Sequence, residues 1–324
     1  MINTIINGDT LTELKKFPDN LVDCVITSPP YWGLRSYNVD GQIGQETTFQ
    51  EYVKNICIIF DEIKRVLKNE GTCFLNLGDT YISKGESRHA GYTDPKYTNG
   101  RIGRMCEPNA LPQTLPEKCL AQVPSRVAIE LTDRGWWLRN TIIWHKTNQM
   151  PSSVKDRYTV DFEYVYFLTK SKRYHFEQQF EPIAESTIGR GLVDFGGKKG
   201  REYIPDKDDP NYRNGTEQWG RTFDYKKSCA KGRNKRTVWS IPTKPFRDAH
   251  FATFNPKLIE PMIKAGCPVN GVVLDPFMGA GTTGVVAKMY GRNYIGIELN
   301  PDYVKMAENR IHNTDKCIIS DFSL

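Results

Sequence analysis

Two short segments of this 324-residue chain hold residue types that could do chemistry. In GVVLDPFMGAGTTG, Gly279, Gly281 and Gly284 stand in G-x-G-x-x-G register, after an apolar run and at the opening of a helical one. Glycines there let a backbone turn sharply and approach a ligand closely. Glu298 ends the next apolar run, 19 residues after Gly279, where an acid can take the two hydroxyls of a ribose. A nucleoside is therefore indicated. A dinucleotide would bring a pyrophosphate to the helix N-terminus, yet Asp275 stands just before the glycines. A carboxylate there opposes phosphate and suits an ammonium or a sulfonium. S-adenosylmethionine offers both with no phosphate, so it is favoured over NAD; an aspartate that only caps the helix after a tight turn is the competing reading.

The second segment is VDCVITSPPYW, an apolar run that ends in Ser28, Pro29, Pro30, Tyr31 and Trp32. Ligands of open α/β sheets bind beyond the carboxyl ends of strands. Two successive prolines fix φ and remove two N–H donors, so the backbone there presents carbonyl acceptors. The Ser28 hydroxyl and the Ser28 and Pro29 carbonyls could hold an amino group, and Tyr31 and Trp32 offer faces for a planar base. The alternative is a rigid turn whose aromatics fill core.

With these residues in view, the chain resembles the amino-directed DNA methyltransferases. TSPPYWGLRSY is similar to their catalytic motif, an Asp, Asn or Ser followed by Pro-Pro and an aromatic. DPFMGAGTTG and GIELNPDY are similar to their S-adenosylmethionine motifs, and HFATFN to the segment at the methionine end of the cofactor. GTCFLNLGDTY, RGWWLRNTIIWHK and KDRYTVDFEYVYFLTKSKRYHFE match further segments in the same order. The resemblance implies catalytic roles for Ser28, Pro29, Pro30 and Tyr31. It implies a cofactor site of Asp9, His250, Phe251, Ala252, Thr253, Asp275, Pro276, Phe277, Gly279, Gly281, Thr282, Thr283 and Glu298.

Here the catalytic motif precedes the cofactor motif, with a variable window between them, as in the permuted β group of these enzymes. The implied fold is α/β: a Rossmann-like, seven-stranded, mostly parallel sheet with one antiparallel strand. Ser rather than Asp before Pro-Pro-Tyr goes, in the family, with cytosine N4 rather than adenine N6. The base must leave the duplex, and its amine, held by Ser28 and nearby carbonyls, attacks the sulfonium methyl in line. No Pro-Cys dipeptide is present as a covalent nucleophile, and no P-C-x-x-C segment accompanies an H-x-E. Rival readings are an RNA-adenine or protein-glutamine methyltransferase, an inactive DNA-binding protein on the same fold, and an NAD oxidoreductase.

The elements that must position these residues are legible at both ends. NTIIN and VDCVIT read as strands around a short helix at TLTELKKF. Phe49, Tyr52, Val53, Ile56, Ile59, Phe60, Ile63, Val66 and Leu67 fall at helical spacing, with Gly71 as the expected stop, and TCFLNL follows as a strand. VPSRVAIELTDRG, with Pro124 in its first turn, reads as a helix. WLRNTIIWHK and DFEYVYFLTK read as strands. GVVLD, VVAKMYG, NYIGIE and PDYVKMAENRI continue the alternation. Residues 82–118 lose the pattern and suggest a mobile loop.

Charge locates a third feature. Lys+Arg 44 against Asp+Glu 38 leaves +6, a mild bias. Residues 186–236 hold 13 Lys/Arg and 7 Asp/Glu, which leaves 31 against 31 elsewhere. Lys198, Lys199, Arg201, Arg221, Lys226, Lys227, Lys231, Arg233, Lys235 and Arg236, interleaved with aromatics, are therefore the expected contacts to double-stranded DNA. The organisation expected is a catalytic half at 1–185, a target-recognition insert at 186–236 and a cofactor-binding half at 237–324.

Composition excludes other classes. MINTIINGDT has neither a basic n-region nor an apolar h-region, and no apolar run reaches membrane-span length. A cytoplasmic protein with reduced thiols is expected. The eight cysteines form no CxxC pair and the five histidines no HExxH, so no metal site is expected. A cognate restriction endonuclease would be the functional partner.

Overall fold

The computed structural model describes residues 1–34, 41–82, 114–183, 232–243 and 254–321. They fall in two compact units, Met1–Glu177 with Thr237–Leu324, and Gln178–Arg236.

In the larger unit, β1 (Thr4–Asn7), α1 (Thr10–Leu14), β2 (Val22–Thr27), α2 (Phe49–Val66) and β3 (Leu67–Leu77) follow one another. Then come α3 (Val123–Asp133), β4 (Trp137–His145) and β5 (Phe162–Thr169). In the smaller unit, β6 (Phe180–Glu181) pairs antiparallel with β7 (Arg233–Asn234). The larger unit resumes with β8 (Val238–Ser240), α4 (Pro256–Gly266), β9 (Val272–Asp275), α5 (Thr282–Met289), β10 (Asn293–Glu298) and α6 (Pro301–Asp321).

Among the described residues one eight-stranded sheet, ordered β1-β10-β9-β2-β3-β5-β4-β8, organises the larger unit. It has one strand more than the resemblance implies, because Val238–Ser240 pairs parallel to the end of β4. Only β5 runs against the rest, antiparallel to both β3 and β4. Period-two alternation divides the strands between two cores. Val25, Cys73, Leu75, Tyr166, Leu168, Val272 and Leu274 pack with α2 and α3. Their neighbours Cys24, Ile26, Phe74, Val165, Phe167 and Val273 pack with α4 and α5. Burial on both faces is why these strands read as nearly continuous apolar runs.

Local chemistry sets the helix ends. Thr48 and Glu51 form a capping box at the start of α2, and Lys64 and Arg65 lie in its last turn. Gly71 does not stop this helix. It ends at Val66, and Leu67 is already extended and paired with Val22. A Cβ on Gly71 would lie 2.5 Å from the Leu67 side chain, so the glycine instead makes room where β3 folds back over the fully buried Leu67. Pro124 occupies the first turn of α3 as expected.

Of the expected loop, residues 83–113 lie outside the described residues. Its flanks are joined: Ile82 N–H donates to Cys119 O (2.8 Å) and Lys118 N–H to Ile82 O (2.8 Å). Among the described residues no helix is long and apolar enough to cross a membrane.

Candidate active site

The sheet order brings the carboxyl ends of β1, β10, β9 and β2 side by side, about 4.8 Å per strand. Gly8–Asp9, Glu298, Asp275 and Ser28 therefore share one edge of the fold. At β9 the order reverses: its crossover through α5 leads to β10 on one side, while β2 flanks the other. This is the position where open α/β sheets form a ligand crevice.

Asp275 is 1% exposed. It accepts from Thr283 Oγ1 (2.6 Å), Thr27 Oγ1 (2.9 Å) and Phe277 N–H (3.1 Å). Burial pushes its carboxyl up to about 6 in spite of these donors, and the Glu298 charge adds to the rise. Expected to face a ligand, Asp275 is enclosed by the turn it holds, because three donors from three chain segments converge on it. Thr27 was not anticipated from the sequence. Its bond ties the strand that ends in Ser28 to the strand that ends in Asp275.

Glu298 lies at the rim. Its Oε2 accepts from Gly279 N–H (2.7 Å) and its Oε1 from Asn300 N–H (2.8 Å), and burial raises its carboxyl above the ordinary range. Gly279 and Gly281 have φ of 50° and 78°, the left-handed region that favours glycine. Their surroundings differ. A Cβ on Gly279 would meet nothing nearer than Phe277 O at 4.0 Å, whereas one on Gly281 would meet Ala307 Cβ of α6 at 2.6 Å. Close approach by a ligand is open at the first and closed by helix packing at the second. Thr282 opens α5, its Oγ1 accepting from Arg310 Nη1 (3.1 Å), and Arg310 also donates to Ala280 O. Pro276 O accepts from Thr10 Oγ1 (2.7 Å). Asp9 caps α1 through one oxygen, which accepts from Thr12 N–H and Thr12 Oγ1. His250, Phe251, Ala252 and Thr253 lie outside the described residues.

Beyond β2, the Pro30 carbonyl accepts from Tyr52 Oη (2.9 Å). Among the described residues the Ser28 and Pro29 carbonyls accept no hydrogen bond. Trp32 does not offer a face for stacking: it is 4% exposed, packs edge-on against Phe49 and donates from Nε1 to Glu46 O. It belongs to the core because the turn directs it beneath the sheet edge onto α2. Tyr31 remains at the site. Its Oη lies 2.7 Å from Glu163 Oε2, 3.2 Å from Ser28 Oγ and 3.3 Å from Asn76 Oδ1. Burial beside the Glu163 carboxylate holds its phenol well above the usual range. Gly78 gives the ring its place, since a Cβ there would lie 2.7 Å from Tyr31 Cε2.

Sequence reasoning missed Asn76, Glu163 and Lys146, the last of which is ion-paired with Glu163. The available signal was Glu163 itself, a charge inside the apolar run DFEYVYFLTK. Asp79, just past β3, accepts at Oδ1 from Thr80 N–H and Val123 N–H and so holds the start of α3. Among the described residues no group of His, Cys, Asp and Glu is placed to hold a metal.

In the smaller unit Arg233 and Arg236 both donate to Glu181 Oε1 (2.8 and 2.6 Å). Lys235 N–H donates to Gln179 O. Lys198, Lys199, Arg201, Arg221, Lys226, Lys227 and Lys231 lie outside the described residues.

Residues 22–309 match the DNA methylase family N6_N4_Mtase. The chain is 39% identical over 316 residues to the Type II methyltransferase M.Cfr9I of Citrobacter freundii, covering 98% of this chain and 90% of the relative. It is 38% identical over 308 residues to M.SmaI of Serratia marcescens, covering 95% and 90%. Among solved structures, the cytosine-N4-specific PvuII DNA methyltransferase superposes with a TM-score of 0.58 at 19% identity, over 99% of this chain and 93% of that one. The complex of M1.HpyAVI with S-adenosylmethionine gives 0.53 at 18% identity, over 95% and 98%. Family match and shared fold agree with the geometry: the chain belongs to the N6/N4 DNA methylase family, S-adenosylmethionine-dependent methyltransferases of DNA amino groups.

Proposed function

We propose that this enzyme methylates cytosine at N4 in duplex DNA at a specific site, with Ser28, Pro29, Pro30 and Tyr31 as the catalytic turn. The observation that carries the reading is the Thr27–Asp275 bond (2.9 Å). It locks the turn whose Ser28 and Pro29 carbonyls accept no hydrogen bond among the described residues beside a glycine turn fit for a nucleoside.

The residues fit S-adenosylmethionine. Gly279 leaves a cradle that a Cβ would occupy, and each Glu298 oxygen accepts one N–H and keeps capacity for a ribose hydroxyl. Asp275 and Glu298 disfavour a phosphate there. Asp9, Pro276, Phe277, Gly281, Thr282 and Thr283 shape the same pocket, and His250, Phe251, Ala252 and Thr253 are assigned to its methionine end. The cofactor supplies a methyl group on a sulfonium centre. The chain supplies orientation: the Ser28 hydroxyl and the Ser28 and Pro29 carbonyls accept from the two amine N–H groups. This draws the nitrogen towards a tetrahedral shape and frees its lone pair. Such positioning is worth several kcal/mol, on the order of 7 or more at best. Tyr31 offers the flipped base an aromatic surface.

The basic cluster from Lys198 to Arg236 is assigned to DNA. Phosphate contacts by its lysines and arginines would set the register, and binding would weaken steeply with salt. Arg233 and Arg236 would first exchange Glu181 for phosphate. A restriction endonuclease of the same specificity is the functional partner proposed.

The test is direct. Purified protein is incubated with duplex DNA and labelled S-adenosylmethionine, the product is digested to nucleosides, and the modified one is identified by mass. N4-methylcytosine is expected. N6-methyladenine would overturn the choice of base, and no labelled nucleoside would overturn the activity. Sequencing the modified DNA then gives the recognition site.

A further inference from the structure

A serine hydroxyl has one proton to give and two lone pairs with which to accept. If Ser28 is to accept from a substrate amine, as proposed above, its own proton has to point elsewhere. Among the described residues Tyr31 Oη, 3.2 Å away, is the partner in range. For that oxygen to accept from Ser28, its own proton must point away from Ser28. Two acceptors compete for it, Glu163 Oε2 at 2.7 Å and Asn76 Oδ1 at 3.3 Å. The shorter, charged one wins.

The orientation is fixed from behind. Lys146 Nζ donates to the other Glu163 oxygen, Oε1, and an ammonium can only donate. Asn76 Nδ2 donates to Glu163 Oε2 (3.1 Å) and to the Tyr164 carbonyl (3.0 Å), which sets the amide. The side chains of Glu163 and Lys146 are only 14% and 17% exposed, so water competes weakly for either.

We infer that Glu163 is a positioning residue: it orders the hydroxyls Ser28 → Tyr31 → Glu163, so that the Ser28 oxygen meets the substrate amine as an acceptor only. This rests on the proposed role of Ser28. It also gives the site a reason to take an amino base and refuse a keto base. A carbonyl in the place of the amine would face lone pairs on Ser28 and on the Ser28 and Pro29 carbonyls, with no proton between them.

Substitution can undo the order without changing shape. In Glu163→Gln, Lys146 selects the amide oxygen and turns the amide nitrogen towards Tyr31. Tyr31 then accepts from the amide, and its proton is shared between Ser28 (3.2 Å) and Asn76 Oδ1 (3.3 Å), so the order that the carboxylate imposed is no longer fixed. Tyr31→Phe removes the link and keeps the ring.

Wild type, both single variants and the double variant would be compared in single-turnover methylation, cofactor affinity and melting temperature. A binding assay would compare duplexes carrying cytosine or uracil at the target position opposite an abasic site. Each single variant should slow the chemical step by about tenfold or more. Cofactor Kd and melting temperature should stay near wild type, and the preference for cytosine over uracil should shrink. The double variant should be no slower than the slower single one, because one chain is broken once.

Wild-type rates in Tyr31→Phe, multiplying effects in the double variant, or an unchanged base preference would each overturn the inference. A rate loss that only follows a loss of folded protein would overturn it too. If wild type itself methylated no amino group, the proposed function would fail first; wild-type activity with indifferent variants would remove this inference alone.

Discussion

Replacing Gly281 by alanine should destabilise the protein far more than replacing Gly279, although both glycines stand at positive φ in one turn. The backbone penalty is shared: a side chain in the left-handed region costs about 1–2 kcal/mol. The packing penalty is not. At Gly279 the new methyl group meets nothing nearer than 4.0 Å. At Gly281 it falls 2.6 Å from Ala307 Cβ and 2.8 Å from Ala307 Cα, against an ordinary carbon contact of about 3.5–4.0 Å. Helix α6 would have to retreat by about 1 Å, and overpacking of this kind costs roughly 1–3 kcal/mol more. Gly279→Ala should thus lose about 1–2 kcal/mol and Gly281→Ala about 2–5. At roughly 2–4 °C per kcal/mol for a chain of this size, melting temperatures separate the two. Calorimetric titration with S-adenosylmethionine gives the complement: Gly279→Ala should remain folded and bind the cofactor poorly, because its methyl group fills the open cradle. Equal losses of stability, or undiminished cofactor binding in Gly279→Ala, would refute the division of labour between the two glycines.

Three further outcomes are expected. The Asp275 carboxyl is raised to about 6 in the folded protein, so it favours folding when protonated, and that contribution is lost as pH rises from about 4 to about 6. Urea titrations of the cofactor-free protein should show Asp275→Asn gaining on wild type across this interval, by at most about 3 kcal/mol; a constant difference would contradict the shift. Gly78→Ala should push the Tyr31 ring aside and lower turnover with cofactor affinity unchanged, as read by separate rate and titration measurements. Burial raises the thiols of Cys24, Cys73 and Cys267, so a thiol reagent at pH 8 should label none of them until denaturant is added; mass mapping of the labelled peptides checks this.

The motifs and most elements were legible because their signals are local. A glycine turn and a proline pair act through φ and through groups a few residues apart. The strands showed as apolar runs because both of their faces are covered, as Cys24 and Val25 on opposite cores illustrate. Readings failed where a neighbour distant in sequence or a change of element intervened. Gly71 resembled a helix stop until the pairing of Leu67 with Val22 ended α2 earlier. Trp32 resembled a stacking surface until α2 covered it.

The sequence by itself determined which chemistry was available: an acid and glycines for a nucleoside, carbonyls and a hydroxyl for an amine, and a basic cluster suited to phosphate. Only the tertiary structure decided how those groups are held. Thr27 reaches Asp275 across 248 positions and Tyr31 reaches Glu163 across 132. Such pairings follow from the order of strands in the sheet. Residue types fix what a group can donate or accept, whereas the direction of a hydroxyl proton and the enclosure of a carboxylate depend on partners that only the assembled sheet brings within reach.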